Sequence, residues 1–234
     1  MDCCDYPAGS TLKPRDAGRS GMDREDVTVV VPAYNEASRI GSVIDEIPDE
    51  YATLVVDDAS RDDTVSVARE AGATVVEHDR NRGYLAALRT GFAAVETEFV
   101  VTLDADGEHD PADIDRLLEP IARDDADLVF GAREEIPRPS ERLLNFLATR
   151  VLPLTDTGTG FRALRTDLAK RLELDTACTC GTFALEAASL GARVDEVPSP
   201  TRSVAKPRGI AWKHAHQLFH LFRYLIRSSG TGAG

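Results

Sequence analysis

What most constrains this chain is the order in which two apolar patterns follow one another. Val27 to Val31 is an unbroken β-branched run, the pattern of a strand buried on both faces. The next segment, "NEASRIGSVIDEI", places Ile40, Val43, Ile44 and Ile47 at helical spacing. The pair then recurs. "ATLVVDD" precedes the helix "DDTVSVAREAG", closed by Gly72; "ATVVEHD" precedes "GYLAALRTGFAAV"; "EFVVTL" precedes "PADIDRLLEPIAR", with its proline at the start; "ADLVFGAR" is a fifth strand. Such alternation predicts an α/β fold, a mostly parallel sheet with helices on both faces. Pro32 is expected to stop the first strand. Ligands of such sheets bind outside the carboxyl ends of the strands. The polar clusters "PAYNE", "DDAS", "DADGE" and "GAR" fall at those ends, so four distant segments converge on one crevice.

Beyond residue 135 the alternation loosens. "RPSERLLNFLATRVL" reads as a helix, "DTGTGFRALR" as a loop entering a short strand, "CGTFALEAASLGA" as a helix and "RVDEVPS" as a strand. The basic loop "TRSVAKPRG" leads to "IAWKHAHQLFHLFRYLIR", which places Trp212, Ala215, Leu218, Phe219, Phe222, Leu225 and Ile226 on one stripe. There is no internal repeat and no second apolar core. The expected organisation is one domain, residues 25–208, between a disordered tail at 1–24 and an amphipathic helix at 209–228 with a flexible tail at 229–234.

Net charge, -13, excludes general affinity for nucleic acid, because an acidic surface repels phosphate backbones. Only four lysines, Lys13, Lys170, Lys206 and Lys213, accompany 40 acidic residues, a balance that suits a salt-loving source. Cys3, Cys4, Cys178 and Cys180 form no wide disulfide framework and lack the spacer usual in zinc sites. The start has no signal-peptide core, and no stretch is apolar enough to cross a membrane.

Asp104, Asp106 and Glu108 follow the apolar run "EFVVTL" at every second position. In an extended chain such side chains share one face. They could thus present three carboxylates to one hard divalent cation, whose shell is completed by water and phosphate oxygens. A solvated turn in an acidic protein is the alternative.

In order along the chain, "VPAYNEA", "VVDDASRDDT", "NRGYLAALRTGF", "LDADGEHDP", "VFGAR" and "DTGTGFRALR" resemble glycosyltransferase family 2, the inverting sugar transferases of Rossmann-like GT-A fold. Within it the chain looks most like the dolichyl-phosphate mannosyltransferases and their glucosyl relatives, over residues 27–225. The resemblance implies that Pro32, Tyr34, Glu36, Val56 and Asp58 cup the base and ribose of a nucleotide-sugar donor, GDP-mannose or a UDP-sugar. It implies that Asp104, Ala105 and Asp106 hold Mg2+ or Mn2+ and the diphosphate, with Glu108 where relatives often carry glutamine. Arg133 and Arg202 would face phosphate. The family's lysine six positions after that second arginine is here Arg208, and Lys206 lies nearer, so either cation could reach the donor. Asp156, Gly160, Phe161 and Arg162 match a loop on the acceptor side, and Glu186 an acidic position on the following helix. Asp156 and Glu186 are the candidate bases. His109 reads as a structural support.

The acceptor implied is dolichyl or polyprenyl phosphate, used in protein N-glycosylation or other surface glycan assembly. A phosphate with second pKa near ~6 is already largely anionic at neutral pH and needs no strong base. The last helix, aromatic on one stripe and basic beside it, suits a peripheral position on the cytoplasmic face of the membrane. Packing on the sheet or on a second subunit, as a homo-oligomer, is the alternative for that helix. A soluble or glycan acceptor, and a non-catalytic nucleotide-sugar-binding module, are the competing functions.

Overall fold

Seven short strands in one sheet organise the molecule, and the first is its centre. The computed structural model describes residues 22–136, 142, 143, 145, 146, 152–175, 179 and 181–204. Most of the expected N-terminal tail lies outside the described residues, as do Lys206, Arg208 and the C-terminal helix and tail.

Strand β1 (Val27–Ala33) is buried along its whole length. It pairs in parallel with β2 (Ala52–Asp57) on one side and β4 (Phe99–Thr102) on the other. Beyond β2 lies β3 (Thr74–Glu77); beyond β4 come β6 (Arg162–Arg165), β5 (Leu128–Ala132) and β7 (Val194–Pro198), giving the order β3-β2-β1-β4-β6-β5-β7. Chain order therefore reverses direction across the sheet at β1 and β4. A doubly wound sheet opens its ligand crevice at such a switch point.

The connecting helices cover both faces. Val29 and Val31 point into a core shared with α1 (Ile40–Asp45), α2 (Thr64–Glu70) and α4 (Ile114–Ala122). Val30 and Val56 point the other way, into a core with α3 (Tyr84–Ala94), α5 (Thr166–Ala169) and α6 (Thr182–Ser189). Alternation of neighbouring side chains between faces is why an unbroken valine run suits a doubly covered sheet.

Two expectations need correction. Pro32 does not end β1, since Pro32 still pairs with Val56 and Ala33 with Asp57. Val30 faces β4 and accepts from Leu103 N, whereas Ala33 faces β2 and accepts from Asp58 N. Pro32, in phase with Val30, thus directs its missing N–H past the end of β4 and forfeits no ladder bond. Likewise α1 begins only at Ile40, because residues 35–39 are drawn into the loop that β1 shares with β2.

Strand β6 runs antiparallel to both neighbours. It fills the gap that the crossover from β4 to β5 leaves, and arrives there late in the chain.

Candidate functional site

The loops leaving β1 and β2 are tied together. Asn35 adopts a left-handed φ of 57°; its amide donates to Ser60 Oγ at 2.8 Å and its side-chain oxygen accepts from Arg61 N at 2.8 Å. Glu36 N donates to Thr64 Oγ1 at 2.9 Å. "PAYNE" and "DDAS" thus form one wall of the crevice, as the sequence predicts. Tyr34 stands on its rim, 41% exposed, with a ring face available to a ligand. Val56 is fully buried under α3 and so backs the wall from within the core.

The two aspartates that end β2 divide their tasks. Asp58 is enclosed: Oδ1 accepts from Arg82 N at 2.7 Å, Oδ2 from Gly83 N at 2.7 Å, and His78 Nδ1 meets Oδ1 at 2.7 Å. Its carboxylate builds the loop before α3. Asp57, 2% exposed, uses Oδ2 for Ser60 N at 2.9 Å, but its Oδ1 has no partner. A buried carboxylate oxygen without a donor is costly. Sequence reasoning names Asp58 and not Asp57, which directly ends the apolar run.

The acids after β4 do not continue an extended strand. The chain turns at residues 105–107, with Gly107 at φ 73°, and Asp106 Oδ1 accepts from Glu108 N at 3.0 Å. The expected every-second-position alignment of three carboxylates is therefore lost at Glu108. Among the described residues no three His, Cys, Asp or Glu side chains are gathered as a metal cluster. Asp104 and Asp106 remain as a two-carboxylate donor set, with Ala105 buried between them. Tyr84 Oη donates to Asp104 Oδ1 at 2.9 Å, and a Cβ on Gly160 would come within 2.0 Å of Asp104 Oδ2. Only glycine leaves room for that carboxylate. Oxygen donors alone, one of them so seated, fit a hard divalent ion that takes one or two carboxylates and completes its shell from phosphate.

At the end of β5, Arg133 forms a fork with Asp156: Nε to Oδ2 at 2.7 Å and Nη2 to Oδ1 at 3.1 Å. Asp156 also accepts from Gly158 N. Burial works to raise the Asp156 pKa, but the Arg133 hydrogen bonds and charge outweigh it, and the net shift is downward. Asp156 thus sets the guanidinium plane instead of standing ready as a base. Glu186 is buried, accepting from Glu173 N at 2.5 Å and Leu174 N at 3.3 Å. Burial raises its pKa against those amides, and from its place on α6 it holds the loop of residues 173–174 that precedes the helix. Arg202 N donates to Glu108 O at 2.7 Å, while its guanidinium bridges Glu46 at 2.6 Å and Asp110 at 2.8 Å. The strand-β7 exit is thereby strapped across the acidic loop.

His109 lies beneath that loop, buried against Phe161, and Nε2 shares a hydrogen bond with Thr159 Oγ1 at 3.2 Å. Burial first, and the Arg133 charge second, lower its pKa to about 4. It is neutral at neutral pH and supports the fold, as expected.

Seven strands in this order, with an Asp-x-Asp pair at the switch point, define a GT-A nucleotide-sugar transferase. The chain belongs to glycosyl transferase family 2, whose description matches residues 28–188. It is 34% identical to a dolichyl-phosphate hexose transferase of Haloferax volcanii over 77% of this chain and 85% of that protein. An undecaprenyl-phosphate mannosyltransferase of Micrococcus luteus is 31% identical over 74% of this chain and 82% of its own length. Among solved structures, the mannosyltransferase PcManGT of Pyrobaculum calidifontis, in complex with GDP-Man and Mn2+, superposes with a TM-score of 0.68 at 27% identity. That match covers 92% of this chain and 68% of the other. The protein is a glycosyltransferase. No helix among the described residues is long and apolar enough to cross a membrane.

Proposed function

We propose that this glycosyltransferase moves a hexose from GDP-mannose or a UDP-sugar to dolichyl or polyprenyl phosphate, with inversion, at the cytoplasmic face of a membrane. The product would feed protein N-glycosylation or other surface glycan assembly. The observation that carries the reading is the seating of the Asp104 carboxylate against Gly160 just beyond the carboxyl end of β4, the side of the sheet on which Asp57 ends β2 and Arg133 follows β5. The relatives in Haloferax and Micrococcus, named for lipid-phosphate acceptors, supply the acceptor class.

Asp57 and the rim ring of Tyr34 would hold the base. Asp104 and Asp106 would hold Mg2+ or Mn2+, as the Pyrobaculum enzyme is crystallised with Mn2+; such an ion would neutralise charge that develops on the departing diphosphate. Arg133, fixed in plane by Asp156, presents a guanidinium fork that matches phosphate oxygens. An acceptor phosphate oxygen forms the new bond to the anomeric carbon. The bond from that carbon to the diphosphate breaks, and its electron pair leaves with the nucleoside diphosphate. The acceptor dianion carries no proton to remove, which agrees with Asp156 and Glu186 both being engaged in hydrogen bonds.

Purified protein incubated with Mn2+ or Mg2+, dolichyl phosphate and radiolabelled GDP-mannose, UDP-glucose or UDP-N-acetylglucosamine in turn tests this. Label is expected in the organic phase with one donor. Label only in a water-soluble product would overturn the acceptor, and nucleotide binding without transfer from any donor would overturn the activity.

A further inference from the structure

Arg162 is the most anomalous side chain in the molecule. It is fully buried, with Nη2 donating to Thr179 Oγ1 at 2.9 Å and the guanidinium carbon 4.5 Å from the Phe183 ring centroid and 5.7 Å from that of Phe130. Nε and Nη1 make no hydrogen bond of ordinary length and angle. Taking a cation out of water and leaving two donors unmatched opposes folding, and an apolar side chain would fill the same volume without that cost. Packing alone therefore does not account for it.

Its position offers an account. Arg162 opens β6 directly across from Thr102 in register, and Thr102 Oγ1 donates to Gly160 O at 2.7 Å. Two residues beyond Thr102 is Asp104. Tyr84, 37% exposed at the start of α3, bonds Asp104 Oδ1 through its hydroxyl, and the guanidinium of Arg162 comes up to that same hydroxyl.

The place of Tyr84 is itself fixed. It starts α3 immediately after Gly83, whose φ is 91°, a conformation open to glycine. The amides of Arg82 and Gly83 are pinned by the Asp58 carboxylate. Asp58 is held by His78, and His78 Nε2 by Thr90 Oγ1 of α3 at 2.9 Å. A chain of hydrogen bonds, buried at Asp58 and His78 and exposed at Tyr84, thus runs from the end of β2 to the first donor carboxylate after β4.

We propose that Tyr84, backed by the buried Arg162, is the positioning pair for Asp104. The hydroxyl fixes one carboxylate oxygen, Gly160 seats the other, and the buried cation offsets the carboxylate's charge while no metal is bound. Asp104 then enters metal binding already oriented. This rests on the reading of Asp104 and Asp106 as metal ligands. Groups that orient a ligand typically change metal affinity by roughly 10- to 100-fold when removed.

The test is a Mn2+ titration of the full chain by electron paramagnetic resonance with saturating GDP and, separately, UDP, beside melting temperatures. Tyr84→Phe should weaken Mn2+ by roughly 10- to 100-fold, leave melting unchanged, and regain most of its transfer rate at high Mn2+. Arg162→Met should weaken Mn2+ in the same direction while its melting temperature holds or rises, the opposite of what loss of a structural residue does. Wild-type affinity in Tyr84→Phe or in Arg162→Met overturns the pair. Wild-type protein that binds no Mn2+ with either nucleotide overturns the metal reading and the pair with it; Asp106→Ala, expected to lose Mn2+, separates the two cases.

Discussion

The two ends of the sheet treat buried charge in opposite ways. At the amino ends of β5 and β7, Asp127 accepts from Arg193 N, Nε and Nη2 at 2.9, 3.0 and 2.9 Å and from Arg165 Nε at 3.2 Å. Asp124 takes the remaining Arg165 and Arg193 donors at 2.7 and 3.0 Å. Cation and anion there answer one another. At the carboxyl ends, among the described residues, Asp57 Oδ1, His109 Nδ1 and Arg162 Nε and Nη1 make no hydrogen bond of ordinary length and angle; at the other end Thr166 Oγ1 alone of the described buried side-chain atoms does the same. One end uses its charges to hold strands together. The other keeps buried polar atoms unmatched, at a cost to stability.

The largest expected effect breaks the functional end alone. Asp106→Ala should lower sugar transfer by roughly 10³-fold or more, since a divalent ion contributes several kcal/mol of transition-state stabilisation, with melting nearly unchanged. An unaffected rate would remove Asp106 from the reaction. Next, Asp127→Ala should destabilise the fold by about 3 kcal/mol, because it leaves Arg165 buried and partly unpaired, while kcat/KM at 25 °C holds. Chemical denaturation beside steady-state kinetics checks that dissociation. A smaller step is Gly160→Ala, whose methyl would displace the Asp104 carboxylate; it should weaken Mn2+ by roughly tenfold, and the titration that tests Tyr84 reads it.

Acid separates the two ends by pH window. His109 in the folded chain has its pKa lowered to about 4, so the unfolded chain binds its proton first. Its share of stability is full above pH ~6.5 and declines as pH falls toward 4. Burial works to raise the Asp127 pKa, but the Arg193 hydrogen bonds outweigh it and the net shift is downward; its contribution is present above pH ~4 and is lost as pH falls through the depressed folded value. His109→Gln should flatten the upper window of a stability-pH profile and Asp127→Asn the lower one. Loss of both windows in a single variant would show that the ends are not independent.

Much of this was legible from residues. The alternation of valine-rich runs with helical apolar spacing gave strands, helices and their order, because burial on both faces imposes a pattern that local sequence records. Asp104 and Asp106 were legible too, as acids placed where a buried strand ends. The turn at Gly107, which ends the extended run before Glu108, was not legible. The direction of β6 was not legible: four buried residues look alike whichever way they run, and pairing partners decide it.

Sequence by itself therefore determined the sheet, the crevice that opens at its carboxyl ends and the acids that stand there, because burial and periodicity act on neighbours along the chain. Tertiary structure alone decided that Asp58 is bound to the Arg82 and Gly83 amides while Asp57 keeps an open oxygen. It likewise set Arg133 in the fork of Asp156 and brought Tyr84 to Asp104. A carboxylate's role depends on which donors reach it, and those donors arrive from segments that only folding brings together.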